Sequence, residues 1–314
     1  MHASPQHATE LLNLIWVSQY QMTIRIGFHV SIAGGISNSV ENASKMGCGA
    51  FQIFTRNPRG WAAKPLVEDD VKNFQTKLAK SSISQDSVLV HMPYLPNLAS
   101  PDGELYKKSV DTLAAEIHRC SLLGISYLVI HLGSHLGKGI ENGINQLVKG
   151  CKYAVEDSLH RQKKNALVRI LLENMAGQKN SLGSKFEEIR LILDKLNDHG
   201  SFGVCLDTCH AFAAGYDLRK KEDVEKMLDH FYSSVGSKEL KAIHLNDSKG
   251  DLNSKVDRHE HIGLGKVGST GFEALLRHRS LMGLPMILET PVDNTRRDID
   301  NLRIVLQLAK RMRG

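Results

Sequence analysis

Eight short runs of aliphatic and β-branched residues, each followed by a stretch with helical periodicity, constrain this chain more than any other feature. They are TIRIGFHV (23–30), AFQIF (50–54), SVLVH (87–91), SYLVIH (126–131), VRILLE (168–173), FGVCLD (202–207), LKAIHL (240–245) and PMILET (285–290). Such runs read as strands of a parallel sheet, and the segments between them read as crossover helices. ELYKKSVDTLAAEIHRCSLLG closes on Gly124, and Ser184-Lys-Phe-Glu187 has the spacing of a capping box. Eight strand–helix units in one chain match an α/β fold, a single (β/α)8 TIM barrel. An open doubly wound sheet is the alternative, because alternation makes the strands parallel without closing them.

No Pro/Gly/Ser-rich linker divides the 314 residues, and that length suits one barrel, assigned to residues 22–314. Residues 1–21, MHASPQHATELLNLIWVSQYQ, contain no Lys or Arg, which fits neither a secretory n-region nor an Arg-rich transit peptide. They read as an N-terminal extension, either a flexible tail or a start assigned upstream of Met22. No apolar run approaches the roughly 20 residues of a membrane helix, so no membrane partner is expected. The five cysteines are odd in number and never spaced C-x-x-C, which points to a reducing compartment and away from a Cys-only zinc site. A net charge of +6 suits a phosphate-bearing partner without requiring one.

The strand ends carry the chemistry. From the third run to the eighth, the strands finish on His91, His131, Glu173, Asp207, His244 and Glu289. In a parallel barrel all strand C-termini open on one mouth, so residues far apart in sequence converge there. A single such residue is ordinarily a hydrogen-bonded structural side chain. Six at one mouth would crowd carboxylates and imidazoles into poor solvation unless cations lay between them. Two following segments, Asp207-Thr-Cys-His210 and Asp257-Arg-His259, add His210, Asp257 and His259, giving five histidines and four carboxylates. Nine ligands exceed one tetrahedral site, and a bridging carboxylate lets the set hold two or three metals. Imidazole with carboxylate suits zinc, with manganese or iron as alternatives, while Cys205 and Cys209 need only pack.

HMPYL (91–95), HLGSH (131–135), LLENMAGQ (171–178), CLDTCHAFAAGYDL (205–218), HLNDSK (244–249), DRHEHIG (257–263) and ILETP (287–291) together resemble endonuclease IV, the zinc-dependent apurinic/apyrimidinic endonuclease family. The resemblance runs from about Ile26 to the C-terminal helix. It implies a base-excision-repair enzyme that hydrolyses DNA on the 5′ side of an abasic site, leaving a 3′-hydroxyl and a 5′-deoxyribose phosphate, with 3′-end trimming as an accompanying activity. It implies three Zn2+ per chain. His91, His131 and Glu173 would hold one, Glu173 would bridge to a second held by Asp207, His244 and Glu289, and His210, Asp257 and His259 would hold the third. Glu173 and Glu289 are the catalytic candidates, Glu289 also orienting the nucleophile. The loops FTRNPRGW (54–61) and HMPYL would enter the duplex, Arg59, Tyr94 and Leu95 matching the positions that fill the gap at the lost base, and Gly60 stands where the family often has a longer polar residue. Arg258 and Lys249, beside the ligand motifs, read as phosphate contacts or as solvated surface charge. The implied partner is double-stranded DNA with abasic sites or blocked 3′ ends, met by a monomer in a prokaryotic cytoplasm at the nucleoid or in a eukaryotic nucleus.

Two rival readings stand beside this one. A sugar isomerase or epimerase on a metal barrel predicts fewer histidines at the mouth and leaves His210, Asp257 and His259 without a task. A noncatalytic nucleic-acid binder predicts a basic groove but no convergent ligands. Gly263-Leu-Gly265-Lys-Val-Gly268 satisfies G-x-G-x-x-G but follows the charged DRHEHI rather than a strand, so dinucleotide binding is not expected. His29, at the end of the first run, reads as a partner of the ligands, and His135, His160 and His261 read as structural or exposed.

Overall fold

The computed structural model describes residues 25–161 and 167–310. The eight runs form β1 (Ile26–Phe28), β2 (Phe51–Ile53), β3 (Val88–His91), β4 (Tyr127–His131), β5 (Arg169–Glu173), β6 (Phe202–Asp207) and β7 (Leu240–His244), then, after a small ribbon of β8 (Asp247–Ser248) and β9 (His259–Glu260), β10 (Met286–Leu288). The eight long runs pair in parallel in the order β1-β10-β7-β6-β5-β4-β3-β2. A parallel bridge between His29 and Gln52 joins the two outer strands, closing a TIM barrel. The surrounding helices are α1 (Asn38–Lys45), α2 (Glu68–Lys80), α3 (Gly103–Leu123), α4 (Ile140–Arg161), α5 (Phe186–Leu196), α6 (Thr208–Ala214), α7 (Lys221–Ser234), α8 (Gly268–Arg277) and α9 (Asp298–Lys310). None of the helices among the described residues is long and apolar enough to cross a membrane.

Local chemistry sets most boundaries. The Asp102 carboxylate accepts from the Leu105 N–H at 2.8 Å at the start of α3, and Gly124 ends that helix at φ 75°, as its position after the apolar pattern foretells. The capping box expected at Ser184–Glu187 does not form. Lys185 precedes α5 instead, Glu188 rather than Glu187 turns back to accept from the Gly183 N–H at 2.7 Å, and Glu187 is drawn off to His230 on α7, also at 2.7 Å. The last run is shorter than expected as well: β10 ends at Leu288, so Glu289 lies one residue beyond it. Its N–H is donated to Asn246 Oδ1 at 2.8 Å rather than to a neighbouring strand. The expected extension, residues 1–21, lies outside the described residues.

Strand side chains alternate between two cores. Val88, Val90, Leu128, Ile130, Ile170, Leu172, Val204, Leu206, Met286 and Leu288 face the helices, while Ala50, Leu89, Val129, Leu171, Cys205, Ala242 and Ile287 fill the barrel interior, all of the latter fully buried. On β1 the corresponding inward place, paired with Ile287, is Gly27. A Cβ there would sit 1.7 Å from the Ala50 carbonyl oxygen. Backbone cannot yield as a flexible side chain can, so this close approach of β1 and β2 requires glycine. Gly27→Ala is expected to lower the unfolding free energy by about 1–3 kcal/mol, read as a shifted urea midpoint. An unchanged midpoint would mean that the seam has room for a methyl group.

Candidate metal centre

Because strand side chains alternate, the residue two positions after each interior plug also points inward. Those residues are His29, Gln52, His91, His131, Glu173, Asp207, His244 and Glu289, one from each of the eight parallel strands, following Gly27, Ala50, Leu89, Val129, Leu171, Cys205, Ala242 and Ile287. Six are the strand-end ligand candidates; the strands β1 and β2 supply His29 and Gln52 instead. His210 comes from the first turn of α6, directly after Asp207, whose carboxylate caps that helix by accepting from the His210 N–H at 2.7 Å. His259 opens β9 of the ribbon that follows β7, which the sequence pattern does not reveal, and Asp257 lies just before it in the segment joining β8 to β9.

The nine candidates fall into three groups whose ligand atoms lie within 4.8 Å of one another: His91, His131 and Glu173; Glu173, Asp207, His244 and Glu289; and His210, Asp257 and His259. Glu173 belongs to two of them, its Oε2 3.3 Å from His91 Nε2 and 3.4 Å from His131 Nε2 and its Oε1 3.0 Å from His244 Nδ1. Cys209 also lies within reach of Asp207 and His259. Burial pushes its thiol up to about 12, and the Sγ donates to the Arg258 carbonyl at 3.5 Å, so it offers no thiolate.

Tautomers show what the groups are built to hold. A carbonyl only accepts, so His91 Nδ1, 2.6 Å from the Met92 oxygen, His210 Nδ1, 2.9 Å from the Asn174 oxygen, and His259 Nδ1, 2.9 Å from the Glu289 oxygen, all donate. Each ring then turns its Nε2, the atom a metal would take, into the mouth. The Nε2 atoms of His210 and His259 are buried without a hydrogen-bond partner. Asp257 Oδ1 lies 3.0 Å from the former, within hydrogen-bond distance but off the direction of a hydrogen bond, and 3.7 Å from the latter. Two ring nitrogens turned on one carboxylate across such a gap suit a cation, be it a proton or a metal, and the donor set fits a metal ion.

The ionisation of these groups gives the same answer. Burial would raise Glu173, yet His244, His131 and His210 hold it well below the ordinary carboxylate range, and His244, His29 and His91 do the same for Glu289. Burial would lower His210 and His244, yet facing groups, Asp207, Asp257 and Glu173 for the first and Cys205, Glu289 and Glu173 for the second, hold both well above the usual imidazole value. The mouth therefore retains positive charge against the cost of burial.

Around the ligands stands a layer of amides that the sequence pattern leaves unmarked. Asn174 exchanges two hydrogen bonds with the Asp207 backbone, at 2.7 and 3.0 Å, and Asn246 donates to Asp207 Oδ2 at 2.7 Å. Gln52 accepts from His244 Nε2 at 2.9 Å and donates to Glu289 Oε1 at 2.7 Å and His29 Nδ1 at 3.2 Å. An uncharged polar residue inside a three-residue buried strand was the available signal for Gln52.

The glycine-rich segment has a task of its own. The N–H groups of Gly263, Gly265 and Val267, with that of Ser248, surround the Asp247 carboxylate at 2.8–3.0 Å. The loop's N–H groups are committed to an internal carboxylate.

Comparison with known proteins places this architecture. The xylose isomerase-like TIM barrel family model matches residues 40–312. The chain is 53% identical over 286 residues to a probable endonuclease 4 of Cenarchaeum symbiosum, covering 91% of this chain and 100% of that protein. It is 43% identical over 267 residues to an apurinic-apyrimidinic endonuclease of Caenorhabditis elegans, covering 85% of this chain and 66% of that protein. The crystal structure of endonuclease IV from Thermus thermophilus superposes with a TM-score of 0.79 at 35% identity, covering 91% and 99% of the two chains. The chain belongs to the endonuclease IV family.

In this endonuclease IV relative the loops expected to meet a ligand rise beside the metal mouth. Tyr94 is 55% exposed and Leu95 38%. The Tyr94 N–H donates to the Pro58 carbonyl at 3.1 Å, tying the β3 loop to the β2 loop that carries exposed Arg59. The Tyr94 ring packs edge-on against Phe54 with centroids 5.1 Å apart, and Phe54 in turn packs on His91 at 5.7 Å. Arg258 is exposed, whereas Lys249 lies 3.6 Å from Glu260, which weakens its case as a free phosphate contact. His135 accepts from Gly137 and Gly139 N–H groups, buried His261 pairs with Asp293 at 3.0 Å, and His160 is exposed; none belongs to the ligand groups.

Without metal, His210 and His244 hold protons above the ordinary imidazole range, and a metal accepts only the neutral ring. Metal uptake at neutral pH is therefore expected to release protons and to tighten as pH rises. Calorimetric titration in buffers of different ionisation enthalpy measures this; heats that do not vary with the buffer would contradict the assigned charge states.

Proposed function

We propose that the protein is a zinc-dependent apurinic/apyrimidinic endonuclease of DNA repair, which hydrolyses the phosphodiester 5′ to an abasic site in duplex DNA and leaves a 3′-hydroxyl and a 5′-deoxyribose phosphate. The observation that carries this reading is the convergence of nine His and carboxylate side chains into three groups, two of them sharing Glu173. Relatives named as endonuclease 4 and as an apurinic-apyrimidinic endonuclease support the substrate class. The barrel is shared with a D-tagatose 3-epimerase-like protein at 19% identity, a likeness of fold alone. A sugar isomerase needs one or two metals, and the group of His210, Asp257 and His259 has no place in that chemistry.

His91, His131 and Glu173 would hold one zinc, Glu173, Asp207, His244 and Glu289 a second, and His210, Asp257 and His259 a third, with manganese or iron as substitutes at individual positions. Bound there, the metals supply Lewis-acid charge for the phosphodiester and a nucleophile at neutral pH. The chain's own residues do the rest. Glu173 sets the spacing of the first two positions through its two oxygens. Glu289 turns Oε2 toward the mouth and orients the attacking water. Arg59, Tyr94 and Leu95 occupy the space a lost base leaves, and Arg258 holds a phosphate. An abasic nucleotide has already lost its pairing and stacking, so extrusion toward this mouth costs less than for an intact one. The same mouth would trim blocked 3′ ends, and one mouth per barrel makes a monomer sufficient.

A duplex carrying one tetrahydrofuran abasic analogue, which resists β-elimination, tests the reading on a denaturing gel. A single 5′-side nick that disappears on prolonged chelation and returns with zinc is the expected result; no nick by zinc-loaded protein would overturn it. Glu173→Gln is expected to lower incision by orders of magnitude with the barrel still folded by circular dichroism. Tyr94→Ala should weaken binding to abasic duplex more than to intact duplex, and equal weakening of both would remove Tyr94 from damage recognition.

A further inference from the structure

Of the eight inward residues at the mouth, two lie outside the ligand set, and Gln52 is the better placed of them. It is fully buried on β2, its backbone sits at the seam where β2 meets β1, and its side-chain amide touches three members of the inward layer. The direction of that amide is determined by its neighbours. Glu289 Oε1, 2.7 Å away, can only accept, so the amide nitrogen must face it. The amide oxygen is then left for His244 Nε2 at 2.9 Å, which must carry a proton. The reversed amide would press two oxygens together at Glu289.

Two consequences follow for the second ligand group. With Nε2 committed to Gln52, the nitrogen that His244 can free for a metal is Nδ1, and this atom faces Glu173 Oε1 at 3.0 Å, Glu289 Oε2 at 3.3 Å and Asp207 Oδ2 at 3.9 Å. His244 is thereby opposite in tautomer to His91, His210 and His259, whose Nδ1 atoms are committed to backbone carbonyls. No carbonyl performs that office for His244; Gln52 does. In the same way Glu289 Oε1 is occupied by Gln52, which leaves Oε2 for the mouth. One uncharged side chain fixes two of the four ligands of one group.

We propose that Gln52 is the positioning residue of the second metal position, holding His244 as an Nδ1 ligand and Glu289 as an Oε2 ligand, with no part in the other two positions. This rests on the reading of the mouth as a metal centre but not on the identity of the substrate. Partners of this kind typically alter metal affinity by about 10–100-fold when removed.

The test is Gln52→Met, which keeps the volume of a buried strand residue and removes both hydrogen bonds. Wild type and variant, each loaded with zinc, are dialysed against graded chelator, and bound metal per chain is counted. The expected result is one equivalent lost at about 10–100-fold lower chelator strength than in wild type, with the remainder retained, and a lowered kcat with little change in KM. Cobalt substitution should show the loss of a single set of absorption bands. Metal-free circular dichroism and melting separate this from general unfolding. Where Gln52→Met does not fold, Gln52→Glu takes its place, since a second carboxylate against Glu289 loosens the same position. A folded variant that holds all its metal as firmly as wild type, or loses every equivalent together, would overturn the proposal. Zinc-loaded wild type that fails to cut abasic DNA would overturn the proposed function and leave this inference standing; wild type that binds no metal would overturn both.

Discussion

The two-residue period of strands in a closed parallel barrel is the constraint on which everything else here depends. It puts a dry plug residue at one inward position of each strand and a polar residue at the next, so the floor of the mouth and its chemistry are produced by the same alternation. Leu89 and His91, Val129 and His131, Leu171 and Glu173, Cys205 and Asp207, Ala242 and His244, and Ile287 and Glu289 are successive members of single inward rows. A register slip of one residue would send every ligand into the helix-facing core and every plug after it.

The cost of that arrangement is a concentration of buried charge, and the structure meets it by giving nearly every ligand a second partner. Backbone carbonyls take the outer proton of three histidines; amides hold Asp207, His244 and Glu289. What stays unmatched, the inner nitrogens of His210 and His259, faces carboxylate oxygens across a gap. The polar partners thus fix direction, and a cation supplies the remaining charge balance.

How much of this was legible in the sequence differs from residue to residue for physical reasons. The eight strands could be read because apolar runs of strand length leave few other solutions, whereas closure rested on the number and total length of the strand–helix units. The convergence of His91, His131, Glu173, Asp207 and His244 could be read because each closes its run. Glu289 was found from the same pattern although its strand stops one residue sooner, since inward direction persists past the last ladder hydrogen bond. The ribbon of β8 and β9 has strands of two residues, too short to leave a periodicity, so Asp257 and His259 were reached by motif alone. Gln52, Asn174 and Asn246 act by pairing with residues distant in the chain, and one amide looks like another until those neighbours are known. The capping box failed for a related reason: Glu187 found a tertiary partner in His230. The glycine-rich loop's captive Asp247 could not be inferred, because the two are brought together only by the fold.

The strand order has a further consequence for how such a centre comes into being. β10 lies between β1 and β7, so the first strand of the barrel, bridged on one side to β2, finds its other hydrogen-bonded neighbour only in the last. Until residues 286–289 are in place, the wall is open between β1 and β7, Gln52 lacks one of its partners and the second ligand group lacks Glu289. During synthesis, a growing chain can assemble most of the wall but not a complete centre. Completion of the candidate metal site therefore coincides with completion of the fold, and a chain cut short before its last strand could not present that full set of side chains to the cell.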